Sequence, residues 1–183
     1  LVIDKIRENY MIGYSSIDVT TGKCFYNEIF GTSDDPSFAL DEAFNYMNTH
    51  KTNEVLVTFL DKEINQKEVL DYLELTHKTH HINVSRSKIA YQNELFKNIF
   101  KIESLLTPIE HLDMEMYPLS SESLAILIDF VIEHDATIVQ KLNNPTKLDL
   151  NHFIYLGNNA LEQLNILESN HQPSLVNLLN NTS

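Results

Sequence analysis

The sequence predicts an α/β domain built on a mixed sheet with flanking helices, followed by a mainly helical segment. Three observations carry that expectation. Two β-rich runs, Met11 to Val19 and Gly22 to Phe30, are separated only by Thr20-Thr21, the spacing of a hairpin. Glu54-Val55-Leu56-Val57-Thr58-Phe59 is nearly continuous in apolar character, as befits a strand covered on both faces. Between and after these runs, apolar residues recur at helical spacing, so strands and helices alternate as they do in α/β folds.

Taken in order, the hairpin comes first. Gly22 supplies the positive φ that a tight turn with a bulge requires, and Asp18 can accept hydrogen bonds from the turn's amides. Ser33-Asp34-Asp35-Pro36 reads as a helix start, with Asp35 as N-cap and Pro36 in the first helical position. Leu40, Ala43, Phe44 and Met47 give that helix a buried face. After the strand Glu54 to Phe59, the stretch Asn65 to Leu75 forms a second amphipathic helix with Val69, Leu70, Tyr72 and Leu73 inward. His81 to Val84 is a short strand. Beyond Arg86 the pattern turns helical: Asn93 to Phe100 carries Leu95, Phe96, Ile99 and Phe100. Ser120 or Ser121 caps a long apolar helix from Leu124 to His134, with Glu122 in its first turn, where an acid suits the helix dipole. Asn143-Asn144-Pro145 interrupts the chain. His152 to Leu156 alternates as a strand, and Gly157 releases it into a helical stretch from Asn158 to Leu164. No internal repeat is visible. The Asn-rich tail around Leu175, Val176, Leu178 and Leu179 reads as a helix cut from its packing partner, and the whole chain as a segment excised from a longer one.

Composition narrows the function. With 183 residues, 43% of them hydrophobic, the chain can bury a sizeable core. Its longest apolar run, Leu124 to Ile128, is far too short to span a bilayer. A single cysteine, Cys24, excludes an internal disulfide, fits a reducing compartment, and reads as a small core residue. The formal net charge is −13, and so acidic a surface repels phosphate. Nucleic-acid binding draws its main driving force from clustered Lys and Arg, and the only cluster here is Arg86-Ser87-Lys88. The chain is a poor candidate to grip DNA by itself.

Two sets of residues invite a chemical reading. An acid near the end of a first strand is where several metal-dependent nucleases keep a ligand, and Asp18 and Asp61 both lie near strand ends. A two-metal site needs three or four carboxylates converging on ions about 4 Å apart. A turn and a loop start account for both acids without chemistry. His77, His80 and His81 crowd a helix–strand junction, but His80 and His81 face opposite ways on a strand, so an exposed loop explains them better than a zinc site. There is no phosphate-binding GxxxxGK[ST] loop and no GxGxxG fingerprint. The residues alone predict no catalytic, cofactor-binding or metal site, and point to a connecting or interaction module.

Three stretches, in this order, sharpen that reading. "YSSIDVTTGKCFYNE" resembles the opening hairpin of the connector domain in the MutS family of DNA mismatch-repair proteins. "NELFKNIFKIESLL…PLSSESLAILIDFVIEH" is similar to the family's exit from that domain, a helix ending in Phe followed by a long aliphatic helix. "FIYLGNNALEQLNIL…SLVNLLNNTS" is similar to its entry into the core domain, with Gly157 where the family usually has Asp. The Asn- and Ile-rich composition resembles the divergent branch of giant viruses and octocoral mitochondria. The resemblance implies an RNase H-like connector without nuclease activity over residues 1–135 and the truncated start of the core, or lever, domain over residues 136–183. It further implies a non-enzymatic segment that transmits state between DNA-binding and ATPase parts and offers a surface to a MutL-type protein. Mismatched DNA, ATP and Mg would be held by other parts of a full-length, dimeric, intracellular protein, mitochondrial or in the cytoplasm of a virus's host. An RNase H-like metal-dependent nuclease or resolvase is the alternative.

Overall fold

A computed structural model describes residues 1–50, 52–75, 79–82 and 87–148. The expected strand His152 to Leu156, Gly157, the following helical stretch and the tail lie outside the described residues, as do His77, Asn83 and Val84. The described residues fall within one compact unit, Leu1–Leu148.

Six strands make one mixed sheet: β1 (Val2–Ile6), β2 (Asn9–Ile17), β3 (Cys24–Phe30), β4 (Glu54–Phe59), β5 (Thr79–Ile82) and the two-residue β6 (Thr146–Lys147). Their order is β5-β4-β1-β2-β3-β6. β1, β2 and β3 form an antiparallel meander, and β4 and β5 join it in parallel on the β1 side. The predicted hairpin is present with Ser16 opposite Phe25 and Ile17 opposite Cys24, and Gly22 sits at φ 72°. One strand was not foreseen. β1 precedes the hairpin and separates it from β4, so the strand that leads into Asp18 is the second, not the first. Its sequence, Val-Ile-Asp-Lys-Ile, is short and charged, and it turns into β2 through Arg7 at φ 59°, where a sequence reader looks for Gly or Asn.

Alternation places Ile12 and Tyr14 of β2 on one face and Gly13 and Ser15 on the other. Helix α1 (Phe38–Thr49) covers the first face, burying Ala39, Leu40, Ala43, Tyr46 and Met47. Its start is later than expected: Ser37 occupies the N-cap without a side-chain bond. Asp35 instead receives Thr32 N and Phe38 N on its backbone carbonyl, at 3.0 and 3.3 Å. Helix α2 (Gln66–Tyr72) is capped by the Asn65 side chain, which accepts from Glu68 N. It is shorter than predicted, and Tyr72 points outward, its hydroxyl donating to Asp41. β5 begins two residues before the expected strand.

The opposite face of the sheet carries the second half of the unit. Helix α3 (Ile89–Phe100) starts four residues before the predicted stretch, and α4 (Pro108–His111) is closed by a capping box of Thr107 and Glu110. Helix α5 (Pro118–Val139) is the longest element among the described residues. Tyr26, Leu95, Phe96, Met114, Leu124 and Ile128 are buried together between these helices and the sheet. Within α5, Asp135 leaves helical backbone at φ −156°, ψ 96°. Its carboxylate accepts from Thr137 N and Thr137 Oγ1 at 2.8 and 2.7 Å, restarting the last turn.

α5 begins earlier than the serines suggested. Pro118 takes the first helical position, behind Tyr117. Ser120 and Ser121 therefore lie inside the helix and are buried, and Glu122 is a buried fifth-position residue instead of a surface acid in the first turn. The cap comes from the sheet.

Candidate functional site

Asp18 follows β2 and is spent on its own turn. Its Oδ1 accepts from Thr20 N at 2.9 Å and Thr20 Oγ1 at 2.6 Å, and its Oδ2 from Thr21 Oγ1 at 2.6 Å. The Thr20 and Thr21 hydroxyls hold its carboxyl well below the usual carboxylate range. Such a depressed acid contributes stability that is complete above its ordinary value of 3.8 and is lost as pH falls beneath it. Asp61 serves a similar local purpose, accepting from Glu63 N at 2.9 Å.

The sheet keeps these two acids apart. Gly13 and Thr58 both stand opposite Val2. β2 runs antiparallel to β1 and β4 parallel to it, so Asp18 lies five residues beyond that level one way and Asp61 three residues beyond it the other way. At about 3.3 Å per residue the separation is on the order of 25 Å, several times the spacing of ions in a two-metal site. Among the described residues, no group of three or more His, Cys, Asp or Glu could hold a metal ion. His80 and His81 stand in β5 opposite Val55 and Leu56, and His77 falls outside the described residues. Replacing Asp18 with Asn is expected to keep the fold with a small fall in melting temperature, since Asn retains the Oδ1 acceptor and loses the Thr21 hydroxyl bond. Adding Mg²⁺ or Mn²⁺ is expected to leave the melting temperature of either form unchanged; a metal-dependent rise abolished by Asn would mark Asp18 as a ligand.

Cys24 is buried, and burial pushes its thiol up to about 12. A thiol held that firmly protonated is a core group and not a nucleophile.

The strongest polar constellation is one the sequence did not disclose. Glu28 of β3 points under α5, where one carboxylate oxygen accepts from Leu119 N at 2.8 Å and Ser120 N at 3.0 Å. These are amides that a helix start leaves without an internal partner. Burial raises the Glu28 pKa, and the two amide bonds partly offset that rise. Around it, Ser120 Oγ donates to the Asn27 carbonyl, and Asn27 Nδ2 donates to the Tyr14 hydroxyl at 3.3 Å. Ser121 Oγ donates to Gln92 Oε1 at 2.7 Å, joining α3 to α5, while the Ser15 and Ser123 hydroxyls meet at 2.9 Å. The Glu28, Ser120 and Ser123 contacts clamp α5 onto the sheet, the Gln92 contact braces it against α3, and the Asn27–Tyr14 bond ties β3 to β2. A Ser-Ser-Glu-Ser run beside an aliphatic helix is the only sequence signal of it, and its partners lie up to 108 residues away.

A cleft of about 670 Å³ opens where β2 and β4 extend past the start of β1, between Tyr46 and Met47 of α1 and Ile126 and Phe130 of α5.

Over an alignment of 185 residues, covering 87% of its length, the chain is 30% identical to a mutS homolog of Acanthamoeba polyphaga mimivirus, named for DNA mismatch repair. The chain spans 16% of that relative. No family model matches the chain. The likeness agrees with the resemblance in the three quoted stretches and supports an assignment to the MutS family, of the giant-virus type.

Proposed function

We propose that this chain, of MutS type by its similarity to the viral homologue, is the connector segment of a longer mismatch-recognition protein. The similarity over 87% of the chain carries the reading. An antiparallel meander, widened beside its first strand by two parallel strands, supports an RNase H-like connector. The distance between Asp18 and Asp61 favours a module that does no nuclease chemistry. In this reading the segment transmits state between DNA-binding and ATPase parts and offers a face to a MutL-type partner. ATP, Mg and mismatched DNA are held elsewhere in a dimeric, intracellular protein, whether viral or mitochondrial. The break in α5 at Asp135 lies at the proposed passage from connector to core, residues 1–135 to 136–183. Among the described residues, no helix is long and apolar enough to cross a membrane.

Two titrations of the isolated chain test the proposal. With a net charge of −13, duplex DNA, matched or mismatched, is expected to bind only weakly and without specificity at physiological salt. A purified MutL-type protein is expected to bind saturably. Submicromolar duplex binding with metal-dependent cleavage would replace the connector with a nuclease. In the full-length protein, exchanging residues 1–148 for a flexible linker is expected to leave ATP hydrolysis intact and abolish its response to mismatched DNA.

A further inference from the structure

Strand β1 begins at Val2, yet both of its neighbours reach further. β2 continues four residues past Gly13 to Ile17, and β4 begins four residues before Thr58, at Glu54. Past Leu1 these two stretches run side by side. Each lies one strand spacing, about 4.8 Å, from the line of β1, so the space between them is one strand wide. That space is the cleft of about 670 Å³.

Hydrogen-bond parity shows which backbone groups face it. Thr58 N donates to the Leu1 carbonyl and Leu60 N to the Ile3 carbonyl, both at 2.9 Å, so the even-numbered residues of β4 turn toward β1. On β2, Asp18 N donates to the Lys23 carbonyl and the Tyr10 carbonyl accepts from Gly31 N. Even-numbered residues of β2 therefore bond to β3, and the amides and carbonyls of Ser15 and Ile17 turn into the cleft. The Leu56 amide turns into it from the other side. Side-chain chemistry fits the same occupant: Ile126 and Phe130 close one face and Tyr46 and Met47 the other, so residues pointing either way meet apolar or aromatic surface.

We infer that polypeptide joined ahead of Leu1 continues β1 backwards through this cleft, as about four extended residues antiparallel to β2 and parallel to β4. The cleft is a strand slot and not a small-molecule pocket. The inference stands on the sheet register and needs no functional assignment. Its consequence is that anything attached upstream is gripped by two ladders of backbone hydrogen bonds and is not held on a loose tether.

Two lengthened forms of the chain test it. One carries about six residues of alternating Val and Thr ahead of Leu1. The other carries Pro at every second position of the same extension, which removes backbone donors. Hydrogen–deuterium exchange is read at the amides of Ser15, Ile17 and Leu56, with those of Tyr14 and Ser16 as a check that the hairpin is folded. The Val/Thr extension is expected to slow exchange at the three slot amides by about tenfold or more relative to the unextended chain. The Pro form is expected to leave them unchanged. Equal exchange in all three forms overturns the inference. So does slow exchange in the unextended chain that disappears on dilution, which would put a strand of a second copy in the slot.

Discussion

Replacing Gly13 with Ala is expected to destabilise the compact unit by about 3 kcal/mol or more, the upper range for overpacking a closed site. A Cβ at this position would lie 2.2 Å from the Leu119 carbonyl carbon and 2.4 Å from Ser120 N. Both are backbone atoms, so no rotamer change relieves the contact. α5 would have to lift from β2, and lifting it pulls Leu119 N and Ser120 N away from Glu28. The loss is a large fraction of the roughly 5–15 kcal/mol that holds a domain of ordinary stability. Urea unfolding followed by circular dichroism measures it. An Ala variant with an unchanged midpoint would mean that α5 does not seat on Gly13 as described.

Glu28→Ala is expected to cost roughly 2–4 kcal/mol, because two buried amides lose their acceptor at about 1–3 kcal/mol each and are rarely lost independently. Glu28→Gln keeps a carbonyl oxygen in place and is expected to cost clearly less. The two forms also differ in pH dependence. Burial raises the folded-state pKa of Glu28 above its ordinary 4.5, so the folded protein holds this proton to higher pH than the unfolded chain does. The stability this adds is complete below 4.5 and is lost as pH rises through the raised value. The original chain is therefore expected to gain on the Gln variant as pH falls below that raised value, and the gap should be constant above it. Denaturation midpoints of both forms from mildly acidic to neutral pH read this out. A gap that widens in the opposite direction would mean that the helix amides outweigh burial.

The sheet was legible where local chemistry decided it. β3 and the turn at Gly22 stand out because alternation and a positive-φ residue coincide, and β4 because a run apolar on both faces suits only a central strand. β1 was illegible because Asp4 and Lys5 interrupt its apolar character and Arg7, not glycine, makes its turn. The start of α5 was misplaced for a different reason. Ser120 and Ser121 are good capping residues, and Pro118, the truer marker, stands just before them. Only the packing of α5 against β3 and α3 shows that those hydroxyls are turned to Asn27 and Gln92 and that the cap arrives from Glu28, 91 residues earlier. As for the candidate chemistry, Asp18 was correctly legible as a turn acid from its Thr-Thr-Gly neighbours. Its distance from Asp61 depended on the direction of β4, which one strand's sequence does not encode.

The interruption at Asp135 gives α5 a mechanical character. Residues 118–134 form one stiff strut, roughly 25 Å long at about 1.5 Å per residue. Its foot is pinned to β3 through Glu28 and braced against α3 through Ser121 and Gln92. Its far end is tied back as well. Beyond Asp135, Val139 is buried in the same core, Asn143 N donates to the Gly22 carbonyl and β6 lies alongside Phe25 and Tyr26 of β3. The break at Asp135 is thus an elbow that turns the chain back onto the strand holding its foot, and the strut is moored to β3 at both ends.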